Sequence, residues 1–217
     1  VRAITKFIGG LWFLLPSIAF AHEGITQFKS FLTQAQSAEG DFVQQQIRPA
    51  RAGEDKPKVL RKSQGHFIFQ RPGKFVWETI KPFEQKVIAD GQSLLLWDKD
   101  LNQLTIRPAG QHIQSTPAAI LFGGSVVEAY FDLIPGEEKG GMFWLELIPK
   151  NNQPGIEVPY SRIGVGMAHG APAGLELHDN FGNVILITFS KIKMNASVGS
   201  NAFKFAPPVG ADILKVQ

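Results

Sequence analysis

The sequence predicts a mainly β protein with a few helices, its strands antiparallel. Three observations carry this. Apolar and polar residues alternate over many short segments, turn-forming residues separate those segments at intervals of about ten residues, and only two stretches beyond the N-terminal region read as helix. Such a strand series packs as an antiparallel sandwich or barrel.

The first segment is set apart. Arg2 and Lys6 precede an apolar run from Phe7 to Leu15, Pro16 and Ser17 break it, and Ala19-Phe20-Ala21 follows. This is the order of a secretory signal peptide, residues 1–21, cleaved after Ala21. The run is shorter than the roughly 20 residues a spanning helix needs. Residues 22–217 then form a single domain, long enough to bury a core without staples. The chain has no Cys, so none is available to carry a lipid at the cleavage site, and the exported product is expected to be soluble.

Ile25, Phe28, Phe31, Leu32 and Ala35 recur at helical spacing. The period then changes to two: Phe67 and Phe69 alternate with His66, Ile68 and Gln70, and Phe75, Trp77 and Thr79 with Lys74, Val76 and Glu78. Leu94–Trp97 and Leu104–Ile106 flank the polar turn 98–103 and read as a hairpin. Thr116–Gly123 interrupts the series as a short helix: Thr116 caps it, Pro117 sits where its missing donor costs nothing, and Gly123 ends it. Strands follow at Met142–Ile148 and Val184–Ile192, with a last short one at Phe203–Phe205 stopped by Pro207-Pro208. Residues 149–178, dense in Pro and Gly, read equally as a long functional loop or as irregular edge strands. Two apolar helices beside one large curved sheet are expected to cover its mouth or open face.

Composition removes several function classes. Once Arg2 and Lys6 leave with the signal, 22 − 2 = 20 basic residues nearly balance the 19 acidic ones, and no basic cluster with interleaved aromatics appears, so no nucleic-acid partner is expected. There is no Gly-x-Ser-x-Gly elbow and no Cys nucleophile. Gly164–Gly170 misses the spacing and the βαβ context of a dinucleotide loop. Asp98-x-Asp100-x-Asn102 imitates the start of a calcium loop, but Gln103 stands where Gly belongs and Ala109 where a bidentate Glu belongs. The five His include no close pair, and Glu137-Glu138 beside Pro135-Gly136 reads as a hydrated turn. No enzyme, cofactor or metal is expected. The run Gln70–Trp77 is sharper: an Arg, a Pro-Gly turn and an aromatic strand. By spacing alone it is a surface Arg beside core aromatics.

That run, Arg71-Pro72-Gly73-Lys74-Phe75-Val76-Trp77, resembles the Arg-Pro-x-x-Phe-x-Trp segment of the periplasmic outer-membrane lipoprotein carrier family, LolA. Further likenesses follow in order. Phe42–Gln45 resembles the family's first strand, Val87–Trp97 its Asp-Gly-x-x-Leu-Trp hairpin, Ser115–Leu121 its Thr-Pro helix, and Phe203–Gly210 its closing Phe-x-Phe-x-Pro-Pro-x-Gly. The resemblance spans about residues 25–210 and is weak over 125–178.

The resemblance implies an unclosed, strongly curved antiparallel β-barrel with an α-helical lid over a hydrophobic cavity. It implies a monomeric periplasmic carrier that takes acylated lipoproteins from an inner-membrane ABC-type release complex to an outer-membrane acceptor. Arg71 would hydrogen-bond lid backbone carbonyls, the lid would be Thr116–Phe122, and Phe75, Trp77, Ile120 and Leu121 would line the cavity. A binding protein for another lipid or amphiphile on the same fold is the alternative.

Overall fold

The computed structural model describes residues 22–109, 121, 127–150 and 159–216. The expected signal segment, and the expected Thr116–Phe122 lid except Leu121, lie outside these. In chain order the described elements are α1 (Glu23–Gln34), β1 (Ser37–Arg48), β2 (Lys58–Gln70), β3 (Lys74–Lys81), β4 (Gln85–Asp90), β5 (Ser93–Asp98) and β6 (Gln103–Pro108). Then come α2 (Val127–Tyr130), β7 (Phe131–Lys139), β8 (Met142–Pro149), β9 (Tyr160–Ala168), β10 (Ala171–Asp179), β11 (Val184–Met194) and β12 (Asp212–Lys215).

The strands form one sheet in the order β12-β6-β5-β4-β3-β2-β1-β11-β10-β9-β8-β7. Every neighbouring pair is antiparallel except β12–β6. The two edges, β7 and β12, do not pair, so the barrel is unclosed. Alternate residues of β1–β5 and β7–β11 converge on a single apolar cluster with the buried stripe Phe28, Phe31, Leu32 and Ala35 of α1. One face of the sheet therefore curls around α1 and becomes the concave side.

The helix is held against the sheet at its N-terminal end. Gln27 receives the backbone N–H of Gly170 from the β9–β10 turn at 3.1 Å, and Gly24 sits where a Cβ would come within 2.7 Å of the Trp144 carbonyl oxygen. The convex side carries a second cluster: Val76, Ile88 and Phe203, with Ile68, Leu95, Val198, Ala202 and Phe205 packed around them.

Two expectations are corrected, and one open stretch is resolved in part. Phe203–Phe205 is not a strand: the segment turns through the Lys204 N–H to Asn201 carbonyl bond and presses Phe203 onto the convex face, while the last strand is β12, further on. Glu137-Glu138 lies within β7 rather than in a turn. The chain reverses at Gly140-Gly141, where both φ angles are positive (64° and 74°), a conformation Gly adopts without a steric cost. In the stretch left open, residues 160–179 form the β9–β10 hairpin in the sheet interior. Its glycines answer to Trp144, whose indole lies over Gly164, Gly166 and Gly174 from the neighbouring strand, so that Cβ atoms there would sit 3.0–3.5 Å from the ring.

Candidate functional site: an apolar cavity closed by Arg71

The β2–β3 turn places Arg71 at one end of the concave face. Its backbone N–H donates to the Gln36 carbonyl at 2.8 Å, tying the turn to the α1–β1 junction. The side chain runs back into the core. Nε–H donates to the Ala35 carbonyl at 2.8 Å, just past the end of α1, and Nη2–H donates to the Leu121 carbonyl at 3.0 Å. One guanidinium thus joins the end of α1 to Leu121, using the planar fork of donors that Arg provides. Beneath it are the rings of Phe69 and Phe31, with centroids 5.2 and 5.7 Å from Cζ. Both distances are within cation–π range. Burial lowers the pKa of Arg71, yet a guanidinium stays charged at any pH a protein meets.

Below this clasp lies a cavity with an empty volume of about 200 Å³, lined by Phe31, Ala38, Phe67, Phe69, Leu121, Pro172, Phe189 and Ile192. All eight are apolar. Leu121 is fully buried among these walls.

Strand register decides which expected residues meet here. Phe75 pairs with Phe69 and Trp77 with Phe67, so both expected aromatics share the concave face, while Val76 between them points to the convex cluster. Trp77 stacks on Phe42 at 3.9 Å between centroids and meets Phe189 edge-on at 6.2 Å. Phe75 is fully buried behind Phe69. Leu121 joins the site, and Ile120 lies outside the described residues. Sequence reading missed Phe31, Phe67, Phe69 and Phe189 as wall residues. The available signal was their place at apolar positions of the local period, two for Phe67, Phe69 and Phe189 and helical for Phe31. Among the described residues no three His, Asp or Glu side chains gather as a metal site requires.

An unclosed, curved β-sheet wrapped around one helix, with an apolar cavity beneath an Arg bonded to the end of that helix, defines a half-barrel with an apolar concave side. The family model described as "Outer membrane lipoprotein carrier protein LolA" matches residues 33–206. Two curated relatives named outer-membrane lipoprotein carrier protein are similar nearly end to end. That of Cupriavidus pinatubonensis is 44% identical over 87% of this chain and 86% of its own, and that of Ralstonia nicotianae 42% identical over 99% and 98%. The chain belongs to the LolA family of outer-membrane lipoprotein carrier proteins. An uncharacterized conserved protein of Thermus thermophilus shares the fold, with a TM-score of 0.54 at 13% identity over 90% of this chain and 99% of that one.

Proposed function

We propose that the chain is a periplasmic carrier that holds the acyl chains of lipoproteins in this cavity. It receives them from an inner-membrane ABC-type release complex and delivers them to an outer-membrane acceptor, with no catalytic step. Residues 1–21 would export it and residues 22–217 would be the working domain. Among the described residues no helix is long and apolar enough to cross a membrane. The observation that carries the reading is the Arg71 clasp: a half-buried cation bonded to the Ala35 and Leu121 carbonyls beside an otherwise apolar cavity.

Burying an acyl chain is worth about 0.8 kcal/mol per CH₂, on the order of 12 kcal/mol for about fifteen carbons. A rigid open pocket of that strength would not release its load. Hydrogen bonds to a charged group contribute about 1.5–3 kcal/mol each, so the two bonds from Arg71 favour the empty, closed state by about 3–6 kcal/mol. Cargo must break them to enter, and their re-formation offsets part of the cost of leaving. Phe75, Trp77, Ile120 and Leu121 would supply the apolar contact.

Arg71→Leu is expected to fold normally and to accept acylated cargo, but to hand little of it to the acceptor. Arg71→Lys, with one ammonium in place of the fork, should fall between. A transfer assay with purified acceptor reads this, and unimpaired transfer by Arg71→Leu would refute the clasp. The uniformly apolar lining also favours a second reading, carriage of another lipid or amphiphile. Mass spectrometry of ligand extracted from the purified protein separates the two.

A further inference from the structure

Arg107 is a second cationic residue on the concave face, and its surroundings differ from those of Arg71. In β6 it stands opposite Leu94, and that pair ends a continuous cross-strand row: Phe69 pairs with Phe75, Phe75 with Ala89, Ala89 with Leu94, and Leu94 with Arg107. The first four belong to the main apolar cluster, and Phe69 is also a wall of the cavity. With strands about 4.8 Å apart, the row runs about 19 Å along the sheet from cavity to Arg107, a span that an extended long acyl chain can follow.

Arg107 Nε is buried and has no hydrogen-bond partner among the described residues. Among the described residues, no carboxylate occupies the neighbouring concave positions. Leu96 and Thr105 are the next pair along, and the nearer acids serve other groups: Asp98 accepts from Gln85, and Asp212 from Gln103. A buried donor on a permanently charged group is costly to leave unmet. The cost is offset if an acceptor arrives with a ligand.

Resting on the carrier reading, we propose that Arg107 binds the oxygen at the head of an acyl chain whose tail lies toward Phe69 and the Arg71 clasp. The chemistry recognised is an acyl carbonyl or carboxylate oxygen at the end of a long saturated chain. It fixes the direction of the chain in the half-barrel, head toward the β6 side and tail under the cover. Arg71 then governs closure, and Arg107 governs orientation.

The test compares palmitate, methyl palmitate and hexadecane as competitors of a fluorescent fatty acid on the wild-type protein and on Arg107→Met. Arg107→Gln, which retains a donor, is the second variant. Arg107→Met should lose at least tenfold affinity for an oxygen-headed chain while hexadecane changes less than twofold, and Arg107→Gln should recover part of the loss. Loss for both palmitate and its ester assigns the site to a carbonyl oxygen, as in acylated cargo. Loss for palmitate alone assigns it to the carboxylate of a free fatty acid. Equal losses for all three competitors, or none, would overturn the assignment while leaving the carrier reading in place. Failure of the wild-type protein to bind any of them would refute the carrier reading itself.

Discussion

Three arginines show how one side chain takes different work from different surroundings. Arg71 is half-buried and donates to two backbone carbonyls; Arg107 has a buried donor with no acceptor among the described residues. Arg48, at the outer end of β1, is a plain ion pair. Its Nη1 and Nη2 donate to the two carboxylate oxygens of Glu54 at 2.6 Å each, and the Arg51 backbone N–H donates to Glu54 at 2.9 Å. The Arg48 bonds first, then the Arg51 bond, pull the Glu54 pKa from an ordinary 4.5 to about 2. A carboxyl whose folded pKa is depressed contributes stability in full above its unfolded pKa and loses it as pH falls through the folded one. Closure of the β1–β2 connection by this pair is therefore expected to be complete above about pH 4.5 and to fail near pH 2. Carboxyl NMR titration should give a Glu54 midpoint near 2 that returns toward 4.5 in Arg48→Ala. A wild-type midpoint near 4.5 would show that the pair does not persist in solution.

Among the elements, β2 and β3 position the most site residues, and their register turns on Gly65. The pairing shifts between Gln64 and Gly65, bringing the backbones so close that a Cβ on residue 65 would lie 1.8 Å from the Glu78 carbonyl oxygen and 2.8 Å from Cζ of Phe42. Neither the strand backbone nor the stacked Phe42 ring can retreat cheaply. Gly65→Ala should therefore cost about 3 kcal/mol or more, at the upper end of overpacking penalties. Gly199→Ala, where a Cβ meets nothing within 4 Å, should stay within about 0.5 kcal/mol. Urea unfolding midpoints at unchanged slope compare the two, and equal costs would mean that β2 adjusts freely. The β3 aromatics and the β5–β6 hairpin were legible in the sequence because period-two alternation and turn chemistry are local signals. Arg71, Phe75 and Trp77 were legible together because one turn and one strand carry all three. Phe42 and Phe189 reach Trp77 only through registers set across β2, β1 and β11, which no local pattern encodes. The β9–β10 hairpin was illegible for the same reason: its glycines are matched to Trp144 on another strand. Phe203-Lys204-Phe205 alternates like a strand, but no neighbouring backbone is there to pair with it.

At the scale of the whole molecule, the two faces of the sheet carry separate apolar clusters. The concave face holds the clasped cavity, while the convex face is fastened by residues 195–211, which leave β11 and cross the outside of the sheet before β12. That strap starts beside the clasp: Ser37 Oγ–H donates to the Ala196 carbonyl at 2.7 Å, and Gln36 N–H donates to Asn195 Oδ1 at 2.9 Å. The carbonyl of the same Gln36 receives the Arg71 N–H, so the strap braces the turn from which the guanidinium reaches inward. The hold is apolar, through Phe203 against Val76 and Ile88. The following β12 is a four-residue edge strand with every residue exposed. Burial, not strand pairing, should therefore set the strap's contribution. Phe203→Ala is expected to lower the unfolding free energy by about 3–5 kcal/mol, as for other buried Phe truncations. Deleting residues 212–217 should cost less than about 2 kcal/mol, because a few net hydrogen bonds are largely offset by the ordering entropy of the segment. Urea denaturation of the two variants decides the point, and a deletion costlier than Phe203→Ala would move the anchor from the aromatic plug to the edge strand. On the proposed carrier reading, a convex side held by the plug would leave cargo entry to the two carbonyl bonds of Arg71.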